Sequence, residues 1–381
     1  MKIAIPVESD KNEPRVAATP DTVKRFVGLG ADVIVQTGAG ADSRIPDSEY
    51  KDAGAKISKT AKSVFGDADL VLKVRRPSVT EMKAMKPGTI VIATMDPFGN
   101  EDDVAAMAEA GLTAFAMEFM PRITRAQVMD VLSSQANLAG YQAVIDGANE
   151  YDRALPMMMT AAGTVPAARI FVMGAGVAGL QAIATARRLG AIVTATDVRP
   201  AAKEQVESLG AKFVAVEDDE FKQAETAGGY AKEMSKDYQA KQAELVASHI
   251  AKQDIVITTA LIPGRPAPRL VTKKMISAMK PGSVLVDLAV ERGGNVEGAK
   301  PGSVAKVGDA RVVGHLNVPG RIAATSSLLY AKNLYAFVET MIDQEAKALA
   351  IDWEDELVAA TVLTHDGAIV HKAFSGKGDE E

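Results

Sequence analysis

The sequence predicts an α/β protein built as two doubly wound parallel-sheet domains linked by long helices. Three observations lead there. Short β-rich apolar runs alternate with amphipathic stretches almost throughout, the pattern of repeated strand–helix–strand units. One of these strands, near the middle of the chain, runs into a glycine-rich turn and then a helix. Two stretches, residues 125–151 and 325–342, are long and helical enough to pass between domains. A length of 381 residues fits about two to three domains.

Taken in order, residues 2–6 form the opening strand. Thr19, Pro20 and Asp21 then start a helix, with Thr19 as cap, Pro20 in the first turn and Val23, Phe26 and Val27 turned inward. Residues 33–36, 70–74, 89–94 and 113–117 follow as strands, with a helix at about 102–110 between the last two. Nothing in this first half carries a glycine fingerprint. Beyond it come strands at 169–173, 191–196, 212–216, 254–259, 283–287 and 311–314. The long charged segment 217–252, interrupted by Gly228, Gly229 and Tyr230, fits two readings: a flap over a cleft, or a solvated helical excursion. If both long helices cross between domains, the tail from about 343 returns to the first. The expected division is therefore 1–126 with 343–381 as an N-terminal, flavodoxin-like α/β domain, 127–324 as the central domain, and 325–342 as the connecting helix.

Composition excludes several function classes. A net charge of −6 argues against nucleic acid as a partner, since that needs a basic face. The absence of cysteine removes disulfides, thiolate metal sites and a cysteine nucleophile. Gly and Pro are scattered, 47% of residues are hydrophobic and 24% charged, as in a globular domain. Residues 1–8 read as a strand and not as a signal peptide. No segment reaches the ~20 apolar residues of a membrane span. The four histidines, His249, His315, His365 and His371, lack a triad-like context and receive no role. No metal-ligand spacing occurs, so no metal is expected.

The central turn carries the chemistry. Residues 169–180 read RIFVMGAGVAGL. Gly174 permits the sharp turn off the strand, Gly176 lets backbone N–H groups approach a pyrophosphate, and Gly179 lets the next helix pack closely. Asp197, about 18 residues past Gly179 at the end of strand 191–196, offers a carboxylate to a ribose 2′-OH. A G-x-G-x-x-G framed by strand, helix and acid is a dinucleotide fingerprint, which makes the domain Rossmann-like and places the cofactor in the cleft. Asp197 would repel a 2′-phosphate and so favours NAD over NADP. Arg199 pulls the other way; the position of Asp197 at the strand end decides, leaving Arg199 to brace the pyrophosphate side or a surface carboxylate.

A second polar constellation lies at residues 122–137. Gln127, Asp130 and either Ser133 or Ser134 fall at i, i+3 and i+6 or i+7, on one face of the expected helix. An amide, a carboxylate and a hydroxyl in line can bond a carboxamide and ribose hydroxyls, and Arg122 adds a cation for a phosphate or carbonyl. A solvated face of a connecting helix fits the same spacing.

These residues resemble a known family. MKIAIPVESDKNEPRVAATP, VMGAGVAGLQAIATARRLGAIVTATDVRP, TTALIPGRPAPRLV and MKPGSVLVDLAVERGGN look like the alanine dehydrogenase and transhydrogenase superfamily, along essentially the whole chain. RITRAQVMDVLSSQANLAGY, PMMMTAAGTVPAARI and AETAGGYAKEM look specifically like the NAD(H)-binding component of proton-translocating NAD(P) transhydrogenases. The dehydrogenases place a catalytic lysine in a K-V-K-E-P segment, where this chain has Arg75, and a catalytic histidine in an F-L-H-L segment, where it has Asp96. Arginine cannot exchange protons near neutral pH, whereas hydride transfer between two nucleotides needs only alignment.

The resemblance implies hydride transfer between NAD(H) bound here and NADP(H) on a partner subunit. It implies that Arg122, Gln127 and Asp130 act at the nicotinamide and its ribose, with Val128, Met129 and Ser133 beside them. The remaining cofactor contacts would come from Gly174, Ala175, Gly176, Val177, Ala178 and Gly179, from Asp197, Val198 and Arg199, and from Ala260 and Leu261. Gly229 and Tyr230 match a mobile loop that closes over the nucleotide. The implied partners are a membrane-embedded portion of the alpha subunit, a beta subunit carrying the NADP(H)-binding domain, and a second copy in a homodimer. The implied location is cytoplasmic, held to the inner face of the membrane through those partners. The charged end 377–381 fits a separate subunit of such a split enzyme. Two alternatives remain beside this reading: an amino-acid dehydrogenase of the alanine type, and a non-catalytic NAD-binding module. Arg15 belongs to the substrate side in the dehydrogenases, and no role for it follows here.

Overall fold

A computed structural model describes residues 1–222, 234–262 and 264–375. The chain divides into two compact units, Met1–Gln135 with Pro319–Glu381, and Ala136–Val318. Each is an α/β sheet with helices packed on it.

In the first unit the sheet runs, edge to edge, Lys56–Ser58, Asp32–Gln36, Lys2–Ile5, Leu70–Arg75, Ile90–Thr94, Thr113–Ala116, Val362–His365 and Ala368–Ile369. The first six strands pair in parallel and the last two add antiparallel. Central strands such as LVLKVR and IVIAT are apolar almost without alternation because helices cover both faces of a parallel sheet. Numbered along the chain, the parallel order is 3-2-1-4-5-6, the Rossmann order. The 2-1-3-4-5 order of the expected flavodoxin-like sheet is not what forms. The short edge strand Lys56–Ser58, too brief to register as a periodic pattern, makes the difference.

The helix opened by Thr19 spans Pro20–Gly28, with the Thr19 N–H donating to Thr22 Oγ1 at 2.9 Å. It buries Thr22, Val23 and Phe26, whereas Val27, expected inward, is 36% exposed. The later helices fall at Glu101–Glu109 and Ala323–Glu339.

The second unit orders its strands Lys212–Phe213, Ile192–Thr196, Arg169–Met173, Ile255–Thr258, Val284–Asp287, Ala310–Gly314 and Ser303–Val307, parallel except for the last. This is again 3-2-1-4-5-6 with one antiparallel edge strand. The strand expected at 212–216 stops after two residues. Within segment 217–252 the described parts are the helices Asp219–Lys222 and Lys236–Ile250, the latter burying Tyr238, Val246 and Ile250. Gly228, Gly229 and Tyr230 lie outside the described residues, as does the charged end 377–381. A two-stranded hairpin, Met158–Thr160 with Gly163–Val165, stands apart from the sheet with every residue exposed. Among the described residues no helix is long and apolar enough to cross a membrane.

The expected helix 125–151 is not continuous. Thr124–Met129 is a tight 3-10 segment, Asp130 is extended at ψ 92°, and the α-helix runs from Val131 to Glu150. The physical reason lies in Asp130. Its Oδ1 accepts from the Ser133 N–H at 2.8 Å and its Oδ2 from the Ser133 hydroxyl at 2.5 Å, the bonds of a helix N-cap. A residue spent on capping cannot also sit in the helix interior, so Gln127, Asp130 and Ser133 do not share one helical face.

Candidate functional site

In each sheet the strand order reverses beside the first strand, where loops leaving the carboxyl ends of strands 1 and 4 diverge. An α/β sheet holds its ligand at such a point. The two units build theirs from different materials.

In the second unit, strand Arg169–Met173 ends in Gly174, whose φ of +104° favours glycine. A Cβ at Gly174 would overlap Thr259 Oγ1, which instead donates to the Gly174 carbonyl at 3.1 Å. Gly179 is equally constrained: a Cβ there would overlap the Gly174 carbonyl oxygen, so its closest neighbour is the turn itself and not the sheet. Gly176 caps the helix Val177–Arg188 and differs from both. A Cβ there would meet nothing within 4 Å, and its φ of −76° suits any residue. The fold does not require glycine at 176. A group brought close to the helix N-terminus, where the macrodipole attracts negative charge, would.

Gly140, on the helix Val131–Glu150, also meets this element. A Cβ at 140 would overlap the Ala178 carbonyl, so only glycine lets the two helices touch at the start of the nucleotide helix. Sequence reading missed it, although a glycine inside a helical pattern is the available signal.

Asp197 lies at the end of strand Ile192–Thr196 with its side chain 7% exposed. Its Oδ2 accepts from the Ala175 N–H at 2.7 Å, tying the acid to the glycine turn. Its Oδ1 accepts from the Arg199 N–H and Nε, both at 2.9 Å, and Arg199 Nη2 reaches Asp197 Oδ2 at 3.1 Å. Arg199 thus folds back onto Asp197 within the turn, and Val198 between them is exposed. On the neighbouring loop the Ala260 N–H and carbonyl both bond the side-chain amide of Asn295, at 3.1 and 2.9 Å. Asn295 is fully buried and fixes the strand-4 loop; no spacing in the sequence marks it. Leu261, Val177 and Val198 are exposed apolar residues around the same turn.

In the first unit, Arg122, Gln127 and Val128 are exposed on and beside the 3-10 segment, while Met129 is buried beneath it. Asp130 and Ser133 are paired as described. Arg125 makes two bonds to the Asp355 carboxylate, at 2.7 and 2.8 Å, which with burial opposing holds Asp355 below the usual carboxylate range. Asp355 caps the helix Glu356–Thr361.

The reversal point of this sheet is filled with charge. Lys73, with no exposed side-chain surface inside strand Leu70–Arg75, bonds Glu81 at 2.8 Å and Glu8 at 3.1 Å. Glu8 also accepts from the Val74 N–H at 2.7 Å. Glu13 takes both Nε and Nη2 of Arg15 at 2.6 Å and Arg75 Nε at 2.8 Å, and Arg15 Nη1 donates to Gln135 at 2.7 Å. Burial works against the Lys73 ammonium, but the two carboxylates outweigh it and hold its pKa above the usual lysine range. Burial likewise opposes the Glu81 carboxylate, which Lys73 and Ser78 nevertheless hold below its ordinary value. For Glu8 burial wins and raises it.

Arg15 is therefore committed to an internal carboxylate and an amide. Asp96 sits at φ +48°, its N–H and that of Met95 donating to the buried Glu118. Nothing here offers a base titrating near neutral pH. Among the described residues no group of three or more metal-ligating side chains occurs.

Comparison with known proteins agrees with this division of labour. The chain matches the Alanine dehydrogenase/PNT N-terminal domain over residues 4–139 and the C-terminal domain of the same family over 143–372. It is 55% identical over 383 residues to the first of the separately encoded portions of the NAD(P) transhydrogenase alpha subunit of Rhodospirillum rubrum, covering 99% of this chain and 100% of that one. The crystal structure of transhydrogenase from Sinorhizobium meliloti superposes with a TM-score of 0.89 at 67% identity, covering 97% of this chain and 100% of that one. An alanine dehydrogenase of Halomonas elongata is more distant, at 32% identity over 98% of this chain and 96% of its own length. The chain belongs to the alanine dehydrogenase/PNT family, on the side of the NAD(P) transhydrogenase alpha subunits.

Proposed function

We propose that this chain binds NAD(H) and passes hydride between it and NADP(H) held by a partner subunit, active only in that company. Gly176 is the observation that carries the binding half. Its glycine answers to no contact within the fold, so the demand for space comes from a ligand, and a pyrophosphate fits a helix N-terminus. Asp197 would take the adenosine ribose, and Arg122, Gln127 and Asp130 the nicotinamide and its ribose. The chemistry supplied by the nucleotide is hydride donation or acceptance. What the residues contribute is orientation, since no proton need be held or moved by them.

The first unit supports the other half. A dehydrogenase forming an amine must exchange protons with its substrate, and Arg75, Asp96 and the doubly paired Lys73 are poorly suited to it. Coupling to proton translocation would fall to a membrane-embedded portion of the alpha subunit and a beta subunit, with this chain cytoplasmic at the inner face. A homodimer belongs to the same proposal. The hairpin presents Met157 at 61% and Met159 at 79% exposure, apolar surface on a two-stranded element that is marginal alone in water. A Met159→Asp variant would elute as a monomer if that surface pairs two copies.

The central test is stopped-flow hydride transfer from NADH on this chain to an NADP analogue on a cognate NADP-binding component. Transfer supports the proposal. Its absence with intact NADH binding favours a non-catalytic module, and turnover of pyruvate and ammonia by the lone chain favours the dehydrogenase.

A further inference from the structure

The segment that carries Gln127 has little to hold it by its own backbone. It is a 3-10 stretch of six residues, its carbonyls do not belong to a continuing helix, and the chain turns extended at Asp130 before the next helix starts. Yet two polar groups at this break meet one buried side chain from far along the sequence. Asn333, on the helix Ala323–Glu339 and 7% exposed, donates from Nδ2 to the Val128 carbonyl at 2.7 Å. Its Oδ1 accepts from the Ser134 hydroxyl, also at 2.7 Å. One amide thus bridges the two sides of the break at Asp130. Ser134 is tied onward: Gln135 Nε2 donates to Ser134 Oγ at 3.3 Å, and Gln135 Oε1 accepts from Arg15. The buried cluster of Glu13, Arg15 and Arg75 stands behind the bridge.

We infer that Asn333 is a positioning residue for hydride transfer: it fixes the Val128 carbonyl against Ser134 and thereby sets where Gln127 and Asp130 present their side chains. The inference rests on the proposed transhydrogenase reading and deepens it. Only an amide can perform both tasks at this position. Aspartate keeps the acceptor for Ser134 but sets a carboxylate against a carbonyl, and leucine of similar volume keeps neither. The alternative hold, the pair of Arg125 with Asp355, is solvent-exposed on the arginine side, and exposed pairs resist displacement weakly. Because Asn333 lies behind the segment, on the same side as buried Met129, its loss should shift the segment without removing any group proposed to touch the nucleotide.

The test uses the full chain with its cognate NADP-binding component. In Asn333→Leu and Asn333→Asp, hydride transfer should fall by roughly 30–100-fold, the scale expected when reacting groups are misplaced by about an ångström. NADH affinity should stay within about threefold of wild type, since the glycine turn and Asp197 are untouched. Amide exchange across residues 124–134 should accelerate in both variants, whereas exchange across residues 170–180 should not. Ser134→Ala, which leaves the bond to the Val128 carbonyl, should cost only a few-fold in rate. Transfer at the wild-type rate in either Asn333 variant overturns the inference. So does an equal loss of affinity and rate with exchange accelerated throughout, which marks general destabilisation. If the wild-type chain transfers no hydride, the transhydrogenase reading fails instead, and unchanged exchange across 124–134 in the variants would then sink the positioning role separately.

Discussion

The two sheets share one strand order, yet they fill their reversal points in opposite ways. In the second unit the space beside strand 1 is made of backbone: two glycines that tolerate no Cβ, a third that leaves room, and a carboxylate bonded to the turn. In the first unit the corresponding space is made of side chains, three carboxylates against Lys73, Arg15 and Arg75, with the lysine wholly buried. The fold supplies the same opening twice. What differs is whether the loops leave it empty or close it with ion pairs, so function follows the loops and not the sheet.

The largest expected effect comes from breaking the filled point. Lys73→Met leaves Glu8 and Glu81 as buried charges without their cation, at a cost of about 3–5 kcal/mol. Thermal or urea unfolding at pH 7 reads it. In the wild type, Glu81 has a folded pKa below 4.5, so its contribution is present above that value and is lost only on further acidification. In the variant the two carboxylates titrate higher when folded than when unfolded, so their penalty shrinks as pH falls toward 5. The stability gap between variant and wild type should narrow from pH 7 to pH 5; a gap that widens would mean the carboxylates find another cation.

Next in size is Gln127→Asn, which keeps the amide but shortens its reach by about 1.5 Å. If Gln127 aligns the nicotinamide, hydride transfer should fall about 100-fold while NADH binding changes little. Stopped-flow transfer beside equilibrium titration separates the two, and a wild-type rate would return Gln127 to an ordinary exposed position on the segment.

Gly176→Ala then tests the open point directly. The added methyl meets no protein atom, so the melting temperature should hold while NADH binding weakens about tenfold, or roughly 1.4 kcal/mol. Lost stability with retained affinity would show that the space belongs to the fold.

The contrast also explains what the sequence could disclose. The glycine turn was legible because backbone geometry leaves a local signature: Gly174, Gly179 and the acid at 197 sit at spacings that the turn itself imposes. Even there, the reason for Gly179 was visible only in space, where its neighbour is the Gly174 carbonyl. The first unit was legible in its strands but not in its chemistry. Lys73 reads as one polar residue in an apolar run, and nothing local says that Glu8 and Glu81 come to it. The helix expected through Gln127 and Asp130 failed because a cap and a helix interior look alike in spacing, and the bonds to Ser133 decide between them. Asn333 left no trace, since its partners are about 200 residues away.

The smallest expected effect concerns Arg199, where the two kinds of construction meet in one turn. Asp197 alone would repel a 2′-phosphate strongly, and wild-type chain should bind NADH more tightly than NADPH. But the guanidinium bonded to both carboxylate oxygens cancels a share of that charge, and it is exposed enough to swing toward a phosphate. Arg199→Ala keeps the Ala175 N–H on Asp197 Oδ2, so the turn and the NADH affinity should survive. NADPH should weaken further, widening the preference by roughly fivefold, equivalent to about 1 kcal/mol for a partly exposed pair. Titration of both nucleotides into both proteins measures it. Equal wild-type affinities would mean that Arg199 has overridden Asp197. An unchanged ratio in the variant would mean that the arginine serves only to hold the acid, and that the discrimination comes from Asp197 with its charge already offset.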